Sequence, residues 1–312
     1  MSFNRIAIIG LGLLGGSIGL AVREYLPDTG TTGFDSDPET RKRAAERGLV
    51  STVCETAAEA VSEADLVIFC VPPGAMGQAA AAVAEALPAD ALVSDVGSCK
   101  VAIAKALSEA LPDHTVIPAH PVAGTENSGP DAGFASLFRN RWCIVTPPEP
   151  TDLLKLTALV EFWEALGANV EIMDAEHHDL VLAVTSHLPH LIAYTIVGTA
   201  SDLEDVTQSE VIKYSAGGFR DFTRIAASDP TMWRDVFLSN KEAVLTMLQR
   251  FSEDLSALQR AIRVGDGDAL FDQFSHTRAI RRSIIEEGQD DARPDFGRSD
   301  HDGSAAGDQP DS

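Results

Sequence analysis

The chain has 312 residues and an apolar content of 45%, enough for two domains with packed cores. Its net charge of -23 at pH 7 arises from 47 acidic and 24 basic residues. This excess of carboxylates argues against polyanionic partners, namely nucleic acid and anionic membrane surfaces. The four cysteines form no CxxC pair, so we expect reduced thiols in a cytoplasmic protein, with neither disulfides nor a zinc site.

Apolar runs rich in branched residues alternate with helical patterns through the first half of the chain. The expected strands are 5–10, 31–35, 66–71, 91–95, 115–119, 142–146 and 169–173, and the expected helices include 38–47, 75–87 and 151–166. Because strands that alternate with helices need crossover connections, this pattern predicts an α/β domain with a parallel sheet. We place this domain at residues 1–173.

A glycine motif follows the first expected strand, with the sequence Gly10-Leu11-Gly12-Leu13-Leu14-Gly15. In a G-x-G-x-x-G turn between a strand and a helix, the first glycine permits the tight turn and the second lets the backbone approach a pyrophosphate. The third lets the helix pack closely on the strand. The apolar stretch 6–22 around it contains five glycines, so we expect neither a signal peptide nor a membrane anchor. The motif predicts a doubly wound, Rossmann-type dinucleotide-binding domain.

Asp35 ends the next expected strand, twenty residues beyond Gly15. A carboxylate at this position can accept hydrogen bonds from both ribose hydroxyls of NAD and would repel the 2′-phosphate of NADP. Arg41, Lys42 and Arg43 are the counter-evidence, but they fall one turn into the next helix, where we expect them to face solvent. The sequence therefore predicts NAD as the cofactor, with NADP disfavoured.

The strand pattern stops at residue 174, and long helical patterns follow at 175–201, 230–264 and 267–287. Pro230 stands at a favoured first helical position. We predict an all-helical domain at 174–288 for substrate binding and dimerisation, because such apolar helices in a small domain often pack against a second copy. Residues 289–312 carry seven Asp against two Arg and have the composition of a disordered acidic tail.

Two polar segments follow expected strands on the edge of the sheet where ligands bind. One contains Ser98 in DVGSCK, and the other begins with His120 in HPVAGTE. An imidazole can take the proton of an alcohol while hydride leaves the carbon, so the pair suits a dehydrogenase. Ser98 has an alternative role as a helix cap.

Four further histidines invite comparison with His120. His187 and His190 lie three residues apart, but no third ligand has fitting spacing, so we predict no metal site. His177 and His178 stand near a helix start, where we expect them to be solvated.

The motifs together resemble the prephenate/arogenate (cyclohexadienyl) dehydrogenase family. They are GLGLLGGS, DVGSCK, HPVAGTE, SHLPH and GGFRDFTRIAASDPTMWRD, in that order and spanning nearly the whole chain before the tail. The resemblance implies NAD-dependent oxidation and decarboxylation of a cyclohexadienol on the way to tyrosine, by an enzyme without a fused chorismate mutase. Cys99 and Val122 are small departures from the family pattern.

The resemblance also implies roles for individual residues. His120 would accept the proton of the ring hydroxyl, and Ser98 would hold the same oxygen. The implied substrate-binding residues are Thr125, Glu126, His190, Arg220, Asp221, Arg224 and Trp233. Among these, Arg224 would clamp a carboxylate with help from Arg220, while Asp221 and Glu126 would hold the arginine. His190 would contact the substrate side chain. Trp233 would form one wall of the site, and the partner subunit is one possible source of this tryptophan.

Two alternatives compete with this interpretation. A β-hydroxyacid dehydrogenase would carry a lysine in a G-x-x-x-K-x-x-x-N segment, and Lys213 and Lys241 lack those flanking residues. A non-catalytic NAD-binding regulator would not need His120, Ser98 and Arg224 together.

Overall fold

The computed structural model describes residues 3–125, 127–202 and 217–286. A parallel sheet with strand order β3-β2-β1-β4-β5-β6 forms the N-terminal half. Its strands are β1 (Arg5–Ile9), β2 (Gly30–Phe34), β3 (Thr52–Val53), β4 (Leu66–Phe69), β5 (Leu92–Asp95) and β6 (Thr115–Val116). The order reverses between β1 and β4, which is where a doubly wound sheet opens a crevice for a ligand. The predicted α/β class is confirmed.

Helices cover both faces of this sheet. They are α1 (Leu13–Tyr25), α2 (Pro38–Arg47), α3 (Ala57–Val61), α4 (Met76–Ala81), α5 (Lys100–Ala110) and α6 (Leu153–Ala165). Alternate residues of the central strand β1 enter different cores, because successive side chains of a strand point to opposite faces. Ile6 and Ile8 join the core that holds Trp163 of α6, whereas Ala7 joins the core that holds Leu107 of α5.

The expected strand 115–119 is wrong in its extent. The N–H of Ile117 still donates to Val93 O at 2.9 Å, but Pro118 has no N–H with which to continue the ladder. The chain instead starts a second sheet, with order β7-β8-β9, formed by β7 (Ala119–Pro121), β8 (Trp142–Val145) and β9 (Asn169–Ile172). Strand β7 pairs with β8 in antiparallel orientation. Because β7 spans Ala119–Pro121, His120 lies within a strand and not after one.

Two short regions also differ from expectation. The predicted helix 75–87 is a 3₁₀ turn at Pro73–Ala75 followed by α4, which ends at Ala81. Strand β3 and helix α3 were not predicted, since elements of two and five residues carry little periodic signal.

From Ala175 onward, the described residues contain helices and turns and no strand. The α-helices are α7 (Ala175–Leu182), α8 (Leu188–Ser201), α9 (Gly217–Thr223), α10 (Pro230–Ser239), α11 (Lys241–Val264) and α12 (Gly267–Glu286). A π-helical turn at Ala183–His187 separates α7 from α8, just before Pro189. The helical character is confirmed, and the pattern 230–264 is broken at Asn240.

Contacts between Cα atoms divide the chain into two compact units, Met1–Leu248 and Gln249–Ser312. The predicted domain limits 1–173, 174–288 and 289–312 stay predictions, and the acidic tail lies outside the described residues. The stretch Ala175–Ser201 is long and apolar enough to cross a membrane by length and composition alone. It also holds buried polar side chains, Asp179 among them, that bond to other parts of the chain, an arrangement typical of a helix packed on protein.

Candidate active site

The glycine turn after β1 is fixed by steric contacts. Gly10 has φ of 102°, and a Cβ there would lie 2.5 Å from the carbonyl oxygen of Cys70. A Cβ on Gly15 would overlap the carbonyl oxygen of Gly10, so α1 packs on β1 only with glycine at this position. A Cβ on Gly12, in contrast, would meet no described atom within 4 Å. The turn therefore keeps open space where a pyrophosphate would approach the backbone.

Asp35 lies directly after β2 and faces this turn. Its Oδ2 accepts the N–H of Leu11 at 2.9 Å, and its Oδ1 accepts the N–H of Asp37 at 3.0 Å. A carboxylate oxygen can accept a second bond, so this position suits the ribose hydroxyls of a dinucleotide. The same carboxylate also tethers the glycine turn.

The expectation that Arg41 faces solvent is wrong. Its guanidinium lies 5.5 Å from the ring centre of Phe34 and donates to the carbonyl oxygen of Asp35 at 2.9 Å. These contacts leave its side chain only 17% exposed. Arg43 forms an ion pair with Asp131. Both arginines are thus engaged by the protein itself.

A buried ion pair joins the two sheets. Lys100 Nζ donates to Asp95 Oδ2 and to the carbonyl oxygen of Ala119, each at 2.6 Å. Both charged side chains are fully buried. Because a buried charge is tolerated only when it is paired and hydrogen-bonded, this contact holds the end of β5 against the start of β7, one residue before His120.

His120 begins a chain of hydrogen bonds that the sequence did not reveal. Its Nδ1 lies 2.8 Å from Nε2 of His178, and Nδ1 of His178 lies 2.9 Å from Oδ1 of Asp179. His178 is fully buried, so its predicted solvation is wrong, whereas its neighbour His177 is exposed. We call His120, His178 and Asp179 the histidine chain.

Burial keeps the two histidines of the histidine chain neutral. Desolvation lowers the pKa of His120 well below its ordinary value, and the nearby His178, Lys100 and His187 lower it further. Desolvation likewise lowers the pKa of His178, although Asp179 opposes the shift. His120 is therefore an unprotonated imidazole at neutral pH, which is the form that accepts a proton.

Asp179 also caps helix α5. Its Oδ1 accepts the N–H of Lys100 at 2.7 Å, and its Oδ2 accepts the N–H of Val101 at 3.0 Å. These donors belong to the first turn of α5, where the helix dipole favours a negative charge. The predicted cap Ser98 does not take this role, since the N-cap residue is Cys99 and makes no side-chain capping bond. Ser98 lies half-buried in the turn just before the helix.

Asn240, at the break between α10 and α11, extends the network. Its Nδ2 donates to the carbonyl oxygen of Asp179 at 2.7 Å and to Nδ1 of His187 at 3.1 Å. Because an amide nitrogen only donates, Nδ1 of His187 is the acceptor. Burial lowers the pKa of His187 to about 4, so its proton is on Nε2.

A second cluster forms around His190 on α8. The ring of Trp233 stacks on His190, with 3.5 Å between ring centres and 21° between planes. Arg224 lies close enough to His190 to lower its pKa, after the larger effect of desolvation. Trp233 also packs with buried Cys99, which stands next to Ser98. Three predicted substrate residues therefore meet beside the turn that carries a predicted catalytic one, within a single chain.

The other predicted substrate residues are, like Arg224, exposed to solvent or outside the described part of the chain. Thr125, Arg220 and Asp221 are exposed, and Thr125 Oγ1 accepts the N–H of Asn127 at 3.2 Å. Glu126 lies outside the described residues. No group of three potential ligands among His, Cys, Asp and Glu forms a metal-binding arrangement within the part of the chain that the structure describes.

A signal for His178 and Asp179 was present in the helical periodicity. The buried positions of the stretch are His178, Asp179, Leu182, Ala183 and His187, which follow the spacing of one helix face. The position of His177 and His178 near a helix start suggested exposure to solvent, whereas the helical register places His178 on the buried face.

The doubly wound sheet, the glycine turn facing Asp35 and the buried neutral imidazole define the class of protein: an NAD-dependent oxidoreductase. Its family follows from comparison with known proteins. Residues 18–172 match the family profile described as prephenate dehydrogenase, nucleotide-binding domain. Residues 174–276 match the one described as prephenate dehydrogenase, dimerization domain.

Individual relatives agree with both profiles. A cyclohexadienyl dehydrogenase from Zymomonas mobilis is 45% identical over 282 residues, which are 90% of this chain and 96% of that protein. The crystal structure of prephenate dehydrogenase from Aquifex aeolicus in complex with hydroxyphenyl propionate and NAD+ has a TM-score of 0.85 at 32% identity, covering 91% of this chain and 99% of that one. Arogenate dehydrogenase from Synechocystis has a TM-score of 0.76 at 27% identity, covering 90% and 99%. The chain belongs to the prephenate dehydrogenase family, as its motifs predicted.

Proposed function

We propose that the protein oxidises prephenate, arogenate or both in tyrosine biosynthesis, with NAD as hydride acceptor. Prephenate would give 4-hydroxyphenylpyruvate, and arogenate would give tyrosine, each with loss of carbon dioxide. The relatives named above for these substrates support the proposal. The observation that carries it is the neutral, hydrogen-bonded imidazole of His120 in β7, braced against the nucleotide-binding sheet by Lys100.

The glycine turn and Asp35 fit the cofactor. Gly12 leaves the space that a pyrophosphate needs, and Asp35 offers its carboxylate to the ribose hydroxyls. Bound NAD supplies the electrophilic ring that takes up the hydride. The reaction also requires the substrate hydroxyl to lose a proton, which is the task of this chain's own residues.

His120 takes that proton. The O–H bond of the ring hydroxyl breaks, and a new N–H bond forms on the imidazole while the C–H electron pair leaves with the hydride. The bond to the ring carboxylate then breaks, and its electron pair completes the aromatic ring as carbon dioxide departs. The resulting phenolate oxygen takes the proton back from His120, which restores the neutral imidazole. Ser98, in the turn after β5, holds the hydroxyl oxygen from the other side and so aligns it with His120.

The second cluster orients the substrate. Arg224 binds a carboxylate in this role, and a charge-assisted bond of this kind is strong and directional. His190 contacts the substrate side chain, and the stacked ring of Trp233 fixes the orientation of His190. Arg220 assists Arg224, Asp221 holds the arginine, and Thr125 is a further substrate-binding residue. Glu126, which has the same proposed role as Asp221, lies outside the described residues.

We also propose a cytoplasmic homodimer. The C-terminal unit leaves large apolar side chains exposed, including Phe271 and Phe274 on α12 and Ile262 on α11. Apolar surface of this kind is typical of an interface, and the matching profile is that of a dimerization domain. The four cysteines are free thiols, which suits a reducing compartment.

An initial-rate assay of NADH formation tests the function. Purified protein is mixed with NAD and either prephenate or arogenate, and absorbance of the reduced cofactor is followed. We expect turnover with at least one compound, on the order of 1–10³ s⁻¹ as for most enzymes. The ratio of the two kcat/KM values shows which compound is the preferred substrate. Absence of NADH with both compounds, while NAD still binds, would instead support a non-catalytic NAD-binding protein.

A further inference from the structure

We propose that His178 and Asp179 are positioning residues that fix the tautomer of His120, so that its Nε2 carries the lone pair that receives the substrate proton. The inference rests on the proposed function, in which His120 is the base. It adds a role for two residues outside the motifs that define the family resemblance.

Asp179 is held by four hydrogen bonds, three to its carboxylate and one to its backbone carbonyl. Its two oxygens accept the N–H groups of Lys100 and Val101 at 2.7 and 3.0 Å, and Oδ1 also meets Nδ1 of His178 at 2.9 Å. Its backbone carbonyl accepts Nδ2 of Asn240 at 2.7 Å. Both carboxylate oxygens act as acceptors for backbone N–H groups. Oδ1 therefore acts as an acceptor towards His178 as well, and the proton between the two side chains is on Nδ1 of His178.

The proton on Nδ1 of His178 determines the direction of the hydrogen bond between His178 and His120. A neutral imidazole with its proton on Nδ1 has a lone pair on Nε2, and burial keeps His178 neutral. The 2.8 Å contact between His178 Nε2 and His120 Nδ1 therefore requires a proton on Nδ1 of His120. His120 is neutral as well, so its own lone pair is on Nε2.

Nε2 of His120 is thus the atom that points away from the chain of bonds. No described residue forms a hydrogen bond with it, while Nδ1 is committed to His178. When the substrate O–H bond breaks and the proton joins Nε2, the imidazolium keeps its Nδ1–H bond to His178, and the carboxylate of Asp179 stands at the end of the chain. A triad carboxylate that sets a histidine tautomer acts in the same way, and its loss costs roughly 10⁴-fold in kcat.

Three different elements hold the histidine chain in place. His120 lies in β7, His178 and Asp179 lie in α7, and both N–H donors to Asp179 lie in the first turn of α5. The charged and titratable groups that face His120 are His178, Lys100 and His187. Lys100 Nζ is committed to Asp95 and Ala119, so it does not compete for the imidazole.

Two substitutions of His178 with an adjacent control test the proposal. His178→Phe keeps a ring in the buried space but removes both nitrogens, whereas His178→Gln offers an amide oxygen that can accept Nδ1–H of His120. His177→Gln alters an exposed histidine on the same helical turn. We expect His178→Phe to lower kcat by about 10²–10⁴-fold with the Kd for NAD and the Tm near wild type. We expect His178→Gln to recover at least about tenfold of that loss, and His177→Gln to match the wild type.

Each outcome bears on the proposal. A kcat for His178→Phe within about threefold of wild type would overturn it, as would equal losses in Phe and Gln variants that both melt and bind NAD normally. Should the Phe variant fail to fold, ¹⁵N NMR of histidine-labelled wild-type protein decides, with His120→Asn used for assignment. Protons on Nδ1 of both His120 and His178 support the proposal, and a proton on Nε2 of His120 overturns it. Wild-type protein that turns over neither prephenate nor arogenate contradicts the proposed function instead, since the tautomer can be read without turnover.

Discussion

The glycine turn after β1 and the histidine chain are both buried parts of the site, but different forces hold them. The turn depends on steric contacts of backbone atoms, such as the overlap that any Cβ on Gly15 would have with Gly10. The histidine chain depends on the direction of hydrogen bonds between His120 and a residue 58 positions away. A substitution at Gly15 in the turn is therefore expected to displace the backbone. A substitution in the histidine chain can change the tautomer of His120 while the backbone stays in place.

The two regions also have different proposed roles, cofactor binding for the glycine turn and proton transfer for the histidine chain. In the proposed mechanism the glycine turn and Asp35 bind the cofactor, so we expect their loss to act on affinity. The proposed role of the histidine chain is to prepare one atom to receive one proton, so we expect its loss to act on turnover. Substitutions in each region can test whether the two properties are separable.

Removal of the base is expected to have the largest effect. His120→Asn keeps a polar side chain of similar size but offers no group that can accept the proton, and loss of a positioned base costs about 10²–10⁴-fold in rate. We expect kcat to fall by that factor while the Kd for NAD, measured by fluorescence titration, stays within about twofold. Near-normal turnover in this variant would defeat the mechanism.

The glycine turn offers a matched pair of substitutions. Gly15→Ala places a methyl group against backbone, and overpacking of this kind costs about 1–3 kcal/mol, so we expect a lower Tm and weaker NAD binding. Gly12→Ala places the same group in open space, so we expect weaker NAD binding at an unchanged Tm for the protein without cofactor. Calorimetry and NAD titration check both. Unimpaired NAD binding in Gly12→Ala would contradict the assignment of this space to the cofactor.

Arg224 should affect KM more than kcat. Arg224→Ala removes a carboxylate anchor and leaves His120 in place, and a hydrogen bond to a charged group contributes about 1.5–3 kcal/mol, which corresponds to roughly 10–100-fold in KM. Arg220→Ala serves as the comparison and should have a smaller effect, because the proposed role of Arg220 is to assist Arg224. A loss in kcat alone would place Arg224 in the chemical step.

Asp35 should govern cofactor choice with a moderate effect. Asp35→Ser removes the repulsion of a 2′-phosphate and should shift the ratio of specificity constants towards NADP by roughly tenfold, about 1.4 kcal/mol. The structure adds that Asp35 also tethers Leu11, so Asp35→Asn, which keeps an acceptor but no charge, separates the two effects. A wild-type enzyme that already prefers NADP would contradict the assignment of Asp35 to the ribose hydroxyls.

The same contrast explains what the sequence could predict. The glycine turn, its flanking strand and helix, and Asp35 lie within 35 residues, so their geometry follows from local rules. The histidine chain needs α7 to pack against α5 and β7. Helical periodicity marks the buried face of α7 but does not show which elements that face contacts. Residues with motif context, such as His120 and Arg224, could therefore be predicted as site residues from the sequence, whereas His178 and Asp179 were not. The break at Pro118, which moves His120 into a second sheet, was missed for the same reason.

The pH dependence of kcat/KM tests the central claim most directly. His120 must be unprotonated to accept the proton, and burial lowers its pKa well below the ordinary 6.5. The pKa values of His178, His187 and His190 are lowered as well, so no described histidine of the site should protonate above pH 6.5 in the free enzyme. Because activity is lost only as pH falls through the lowered pKa of His120, we predict a constant kcat/KM from pH 8 to about 6.5 and a decline below that value. A decline with its midpoint at or above pH 6.5 would contradict a buried, neutral His120 as the base.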